Sequence, residues 1–84
     1  MAKPKDVRLS HRAEKALNGL ASRPRDRLKN AIRELTQDPL LGKKLKGEFE
    51  DLRSYRIGSF RIVYRFESTI FEVVYIDDRK DVYR

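Results

Sequence analysis

Two arginines flank a two-residue turn in the second half of the sequence, where their spacing suits joint binding of an anion. Glycine stands first in Gly58-Ser59, which favours a type II′ hairpin turn. Such a turn pairs Arg56 with Arg61 directly across the two strands and on one face. Like charges so placed are mildly destabilising unless an anion neutralises them, and guanidinium groups match the oxygens of a phosphodiester. The pattern alone leaves both phosphate binding and plain solvent exposure open.

Further candidate residues lie beyond this hairpin. Arg65 falls on the same predicted face as Arg61. The end of the sequence combines Arg79 with Tyr83, whose phenol, with an ordinary pKa of about 10, needs neighbouring cations to act as a base. A tyrosine there could equally pack its ring on the edge of the domain. The lysines of the segment before the hairpin could bind a nucleic-acid backbone or simply be solvated; they are Lys43, Lys44 and Lys46.

The first half of the sequence predicts a short strand and a helical hairpin. Val7–Leu9 alternates apolar and basic residues, which is typical of one strand. Apolar residues at helical spacing then predict helices over 11–20 and 24–37. The predicted N-caps are Ser10 and Ser22, with Pro24 in the first turn of the second helix.

The second half predicts an antiparallel meander. Residues 40–50 are interpreted as a lysine-rich loop, after which the apolar period changes to two. Three consecutive strands are predicted at 52–57, 60–66 and 70–76. Because successive side chains of a strand point to opposite faces of the sheet, we expect the helix-facing side to carry Phe60, Ile62, Tyr64 and Phe66. The faces on which Tyr55 and Tyr75 lie stay open. The fold class is therefore α+β, with the helices packed on one face of the sheet.

Composition narrows the classes of function. The 84 residues predict one domain, 1–84, with a net charge of +7 that favours a polyanionic partner. This charge is uneven, because residues 1–65 hold 17 basic and 8 acidic residues and the remainder 3 and 5. The absence of cysteine excludes disulfides and thiolate zinc sites, and neither a cofactor nor a metal is expected. We find neither a secretory signal nor a membrane span, and we expect a cytoplasmic protein.

The central segment and the tail together resemble a known family. Residues 44–66, including Leu-Arg-Ser-Tyr-Arg-Ile-Gly-Ser-Phe-Arg-Ile-Val-Tyr-Arg-Phe, are similar to the central signature of the RelE/ParE toxin superfamily. The ending Ile-Asp-Asp-Arg-Lys-Asp-Val-Tyr-Arg resembles its C-terminal signature. The helical hairpin and the chain length agree with this resemblance, which favours the RelE-like branch.

The resemblance implies a function and a site. RelE-like members are toxins of type II toxin–antitoxin systems that cleave mRNA in the ribosomal A site by metal-independent attack of the 2′-hydroxyl. Arg61 and Arg79 then correspond to arginines that stabilise the scissile phosphate, and Tyr83 to a tyrosine that assists proton transfer. The implied RNA-binding residues are Arg56, Lys44, Lys46 and Arg65. The implied partners are a cognate RelB-like antitoxin, mRNA and the ribosome, and whether a toxin–antitoxin complex binds operator DNA stays open.

One departure from the family pattern keeps two alternatives open. Many relatives carry histidine just before the tail arginine, where this sequence has Asp78. An aspartate there could act as a base or pair with Arg79. The alternatives are a ParE-like protein that inhibits DNA gyrase by binding, without catalysis, and a degenerate RNA-binding member.

Overall fold

The computed structural model describes residues 6–45 and 51–78. Its elements, in chain order, are β1 (Asp6–Leu9), α1 (His11–Asn18), α2 (Ser22–Gln37), a 3-10 helix (Pro39–Leu41), β2 (Lys43–Lys44), β3 (Arg53–Ile57), β4 (Phe60–Phe66) and β5 (Ile70–Asp78). Neither α1 nor α2, the α-helices of the described residues, has the length and apolar character needed to cross a bilayer.

The strands form one mixed sheet in the order β1-β5-β4-β3-β2. β1 runs parallel to β5, and the other neighbours are antiparallel. This confirms the predicted α+β fold with its N-terminal strand, helical hairpin and three-stranded meander. The predicted loop at 40–50 was wrong in part, because it contains β2 and the last two residues of the 3-10 helix. A two-residue strand of lysines carries no apolar periodicity, so no sequence pattern could have indicated β2.

The helix boundaries differ from the prediction at two points. The Ser10 side chain accepts a hydrogen bond from Ala13 N at 3.0 Å, so the predicted cap of α1 is confirmed. The predicted Ser22 cap was wrong, because α2 begins at Ser22 and the extended Ala21 stands at the cap position without a side-chain hydrogen bond. α2 thus starts two residues before the predicted position, and α1 ends at Asn18, two residues before its predicted end.

The hydrophobic core lies between the helices and one face of the sheet. Phe60 and Phe66 pack against it as predicted, and the Tyr64 ring stacks on Phe71 with centroids 5.0 Å apart. The buried residues of this core are Ala13, Leu17, Leu28, Ala31, Ile32, Leu35, Ile62, Tyr64, Phe71 and Val73. Tyr55, whose parity the sequence left open, also packs against this core.

A buried tyrosine fastens the 3-10 helix and β2 to the sheet. The Tyr64 hydroxyl donates to Pro39 O at 2.7 Å and accepts from Gly42 N at 2.9 Å. A side chain at Gly42 has no room, since a Cβ there would lie 2.8 Å from Ser54 O and closer still to the Tyr64 hydroxyl. Burial raises the pKa of Tyr64 above its ordinary value, so the hydroxyl stays protonated in the fold.

We expect Tyr64→Phe to lower the free energy of unfolding by about 1–3 kcal/mol, because Pro39 O and Gly42 N lose their hydrogen-bond partner. The raised pKa of Tyr64 adds a pH dependence. Stability from the protonated hydroxyl is fully present below the unfolded pKa of about 10 and falls as the pH rises above it. Urea unfolding followed by circular dichroism should therefore show a steeper alkaline loss in the wild type than in the variant. Parallel losses would contradict this assignment.

Candidate nucleic-acid interface

The sheet face turned away from the helices, called the open face below, is organised by the turn between β3 and β4. Gly58 has a φ of +60°, and no described non-glycine residue has a positive φ, which fits the predicted type II′ turn with glycine first. The register is also as predicted, with Ile57 opposite Phe60 and Arg56 opposite Arg61. The two arginines therefore do lie side by side on this face.

Cross-strand pairing arranges the open face in three rows. The first row is Arg56, Arg61 and Asp77; the second is Lys43, Ser54, Val63 and Tyr75; the third is Arg65, Glu72 and Arg8. The first and third rows each carry two arginines and one carboxylate. In the first row the carboxylate stands at the end, whereas in the third it stands between the arginines. Only the first row thus brings two cations next to each other.

Arg61 is engaged by neighbours on β5. Its Nη2 donates to Asp77 Oδ2 at 2.7 Å and to the Tyr75 hydroxyl at 3.5 Å. Its Nε is buried and has no hydrogen-bond partner within the part of the chain that the structure describes. The hydrogen bond with Asp77 is the main cause that raises the pKa of Arg61. The guanidinium is therefore permanently charged, held in place, and about one-third exposed.

Tyr75 and Asp77 reach the open face because β5 contains a bulge. Val63 pairs with Tyr75 and Tyr64 pairs with Val73, so Val74 is the extra residue. Strict alternation from Val73 would direct Tyr75 toward the helices, and the bulge reverses its direction.

Ser10 connects this bulge to the start of α1. Its backbone N donates to Val73 O at 3.0 Å, and its hydroxyl donates to Val74 O while accepting from the first turn of the helix. The helix start is thereby fixed beside β5, and the Arg12 guanidinium lies 4.8 Å from the centroid of the Tyr75 ring. This is a cation–π contact, and it places a further positive charge at Tyr75, whose hydroxyl lies 3.5 Å from Arg61 Nη2.

A groove of about 430 Å³ opens along this part of the face. Its lining residues are Leu41, Lys43, Ser54, Tyr55, Arg56 and Arg61. Three of them are cationic and none is acidic, so the groove attracts anions. A second groove, of about 380 Å³, lies at the other end and combines Arg8 and Arg65 with Asp51, Glu67 and Glu72. Its charges largely cancel, which makes the first groove the better site for a phosphate.

The other candidate residues fall into three groups. Arg65 lies on the open face, as predicted, but its Nε donates to Glu72 at 2.8 Å and Asp51 lies 3.7 Å from Nη1. Lys44 is exposed on β2 opposite Arg53, so Lys43 and not Lys44 lines the groove. The remaining three candidates, Lys46, Arg79 and Tyr83, lie outside the described residues.

Sequence reasoning missed Tyr75 and Asp77, which contact Arg61, and Arg12, which contacts Tyr75. The roles of Arg12, Tyr75 and Asp77 depend on the β4–β5 register, which the bulge shifts by one residue. A three-residue loop at 67–69 would have paired Phe66 with Ile70 and Arg61 with Tyr75. The structure pairs Phe66 with Phe71, which is one residue of shift, and the bulge adds the second, so that Asp77 lies opposite Arg61. Side-chain types in β5 carry no signal for a bulge, so these contacts required the structure.

Comparison with known proteins identifies the family. The family model of the ParE toxin of the type II toxin–antitoxin system, parDE, matches residues 7–83. The chain therefore belongs to this family, and it is a toxin of a type II toxin–antitoxin system with the RelE/ParE fold. No curated protein matches it in a sequence search.

Solved structures agree with this assignment. A chain of the toxin–antitoxin complex RelBE2 from Mycobacterium tuberculosis is 29% identical, with a TM-score of 0.82 over 94% of this chain and 95% of that one. The isolated E. coli RelE toxin is 23% identical, with a TM-score of 0.76 over 88% and 83%. A chain of the chromosomal ParDE system of P. aeruginosa is 16% identical, with a TM-score of 0.61 over 88% and 95%. The higher scores to RelBE2 and RelE support the predicted RelE-like branch.

We expect Arg61→Ala to leave the fold intact and to lower the free energy of unfolding by no more than about 1 kcal/mol. The reason is that the Arg61–Asp77 pair is partly exposed and screened by water, and Asp77 remains solvated without its partner. Urea denaturation at moderate salt measures this difference. A loss of several kcal/mol would instead make Arg61 a structural residue.

Proposed function

We propose that this toxin is a ribosome-dependent endoribonuclease that cleaves mRNA by metal-independent attack of the 2′-hydroxyl and thereby inhibits translation. The observation that carries the proposal is the groove in which Arg56 and Arg61 lie directly opposite each other, with Lys43 beside them. Adjacent guanidinium groups at an anion-attracting groove match a phosphodiester, and RNA is the phosphodiester that also supplies an internal nucleophile.

The chemistry assigns separate tasks to the candidate residues. Cleavage needs a group that takes the proton of the 2′-hydroxyl, groups that stabilise the pentacoordinate phosphorane, and a proton donor for the leaving oxygen. Arg61 supplies phosphorane stabilisation and Arg56 binds the adjacent backbone. By resemblance to the family signature, Arg79 adds a second arginine at the phosphate and Tyr83 assists proton transfer. Nearby cations favour the ionised phenol, which a tyrosine needs in order to act as a base.

The proposed partner outside the ribosome is a cognate antitoxin. Two similar structures are complexes of a toxin with its antitoxin, RelBE2 from Mycobacterium tuberculosis and RelBE from E. coli. The net charge of +7 favours a partner with acidic segments, and the open face offers the groove cations to such segments. An antitoxin that covers Arg56 and Arg61 would block RNA at the same time.

A second candidate function is inhibition of DNA gyrase by binding, without catalysis. Three observations favour it. Asp77 already neutralises part of the charge of Arg61, and Asp78 stands where many RelE-like relatives have histidine. The matching family model is also that of the ParE toxin. The two functions differ in which cellular process stops first and in whether RNA is cut.

Single-turnover cleavage of mRNA in the ribosomal A site, at saturating protein, separates the proposed roles. We expect Arg61→Ala to slow cleavage by about 10²–10³-fold, because it removes a preorganised donor to the transition state. Tyr83→Phe removes only a hydroxyl and should slow cleavage by about 10²–10⁴-fold. The products should carry a 2′,3′-cyclic phosphate and a 5′-hydroxyl.

Lys44→Ala is the comparison variant for this experiment. It should weaken ribosome binding and make that binding less dependent on salt, while the single-turnover rate at saturation stays near that of the wild type. Circular dichroism checks that every variant is folded. Wild-type rates for both Arg61→Ala and Tyr83→Phe would refute the nuclease proposal and leave the fold assignment untouched.

Expression without an antitoxin should stop protein synthesis before DNA replication. Pulse labelling with radioactive methionine and thymidine in the same culture measures the order of the two events. The Arg61→Ala variant, which is expected to fold, is the matched control and should relieve the arrest. Early loss of thymidine incorporation together with gyrase-dependent DNA breaks would favour the gyrase inhibitor instead.

A further inference from the structure

Asp77 neutralises part of the charge of Arg61, the charge that an RNA phosphate in the groove would also bind. Its carboxylate lies 2.7 Å from Arg61 Nη2 and binds this single nitrogen, not two nitrogens of the guanidinium fork. Both side chains are about one-third exposed, so solvent and an incoming anion reach the pair. Ion pairs as exposed as this one are weak, because water screens them.

The groove approaches Arg61 from the side opposite Asp77. Its lining includes Lys43, Arg56 and Arg61 but not Asp77, which stands beyond Arg61 at the β5 end of the row. A phosphate in the groove would therefore meet Arg56 and Arg61 first, with the carboxylate behind them. Two like charges next to each other are disfavoured in the absence of an anion, and Asp77 relieves part of this repulsion.

We propose that Asp77 is an internal counter-ion that substitutes for the RNA phosphate at Arg61 and that leaves Arg61 when RNA binds. The inference rests on the proposed function, since it concerns the same groove. Asp77 thereby lowers the affinity of the groove for RNA in general. Removing its charge while keeping its shape strengthens RNA binding, and the gain depends on Arg61.

The third row of the open face supplies a matched control. Glu72 pairs with Arg65 as Asp77 pairs with Arg61, both carboxylates lie on β5, and both side chains are 29% exposed. Arg65 keeps Asp51 within 3.7 Å when the charge of Glu72 is removed. Arg65 lies four positions beyond Arg61 along β4, about 13 Å away, which exceeds the Debye length at physiological salt. Glu72→Gln thus changes the net charge as Asp77→Asn does, but away from the groove.

The experiment measures binding of a fluorescein-labelled, 2′-O-methylated single-stranded RNA by fluorescence anisotropy over a series of KCl concentrations. The methyl group prevents cleavage, so affinity is read alone. We expect Asp77→Asn to bind roughly fivefold more tightly than the wild type at physiological salt, where the control charge is screened from the groove. The plot of the logarithm of the binding constant against the logarithm of the salt concentration should be steeper by about 0.7 for this variant. This is the slope that one additional phosphate contact contributes on a single strand. Glu72→Gln should change affinity by less than about twofold.

A double variant connects the gain to Arg61. Arg61→Ala with Asp77→Asn should bind no more tightly than Arg61→Ala alone. Asp77→Ala removes both the charge and the side-chain oxygen that accepts from Arg61. It too should bind RNA more tightly than the wild type. Circular dichroism checks that all variants are folded.

Three results would overturn the proposal. Equal gains in RNA affinity from Asp77→Asn and Glu72→Gln would mean that the effect comes from net charge alone. Weaker RNA binding by both Asp77 variants would mean that Asp77 positions Arg61. In both cases Arg61→Ala still weakens binding and the proposed function stands. If Arg61→Ala binds RNA as tightly as the wild type, the Arg61 subsite does not exist, and the proposed function fails with the inference.

Discussion

The change of register at Val74 is the constraint on which the arrangement of the open face depends. On one side of it Phe71 and Val73 point into the core, and on the other side Tyr75 and Asp77 point away from the helices. A continuous ladder would bury the tyrosine and the aspartate and expose Ile76. The bulge is held by Ser10, which contacts Val73 and Val74 and also caps α1. One short polar residue therefore couples the helix layer to the chemistry on the far side of the sheet.

The molecule separates its stabilising contacts from its charged ones. The helix-facing side of the sheet holds the hydrophobic core and contains Tyr64, whose hydroxyl is satisfied by Pro39 and Gly42. The other side covers the fully buried Val63 with charged and polar side chains. The cations of the groove can therefore vary without disturbing the core, which suits a surface that must recognise a partner. The cost of this layout falls on the neighbouring arginines, whose repulsion Asp77 moderates.

How much the sequence predicts depends on how local the interaction is. The Gly58-Ser59 turn determines the pairing of Arg56 with Arg61, and the apolar period assigns Tyr64 to the core. Both are short-range consequences of residue type. β2 escaped prediction because it depends on pairing with β3 and on the hydrogen bonds that Tyr64 and Arg53 make with the preceding Gly42, and these partners lie further along the chain. The contacts of Arg61 with Tyr75 and Asp77 were not predicted for a similar reason. A bulge reverses the face to which the following side chains point, and no residue type in β5 indicates it.

β2 has a consequence for the behaviour of the protein at high concentration. It is one of the two outer strands of the sheet, and its two residues, Lys43 and Lys44, are both exposed. Long, flat, uncharged outer strands promote sheet growth between molecules, whereas very short strands that carry lysine oppose it. Two copies that met along this edge would confront each other's ammonium groups and gain few backbone hydrogen bonds. Lys43, which lines the anion-attracting groove, and its neighbour Lys44 thus also oppose self-association and fibril formation.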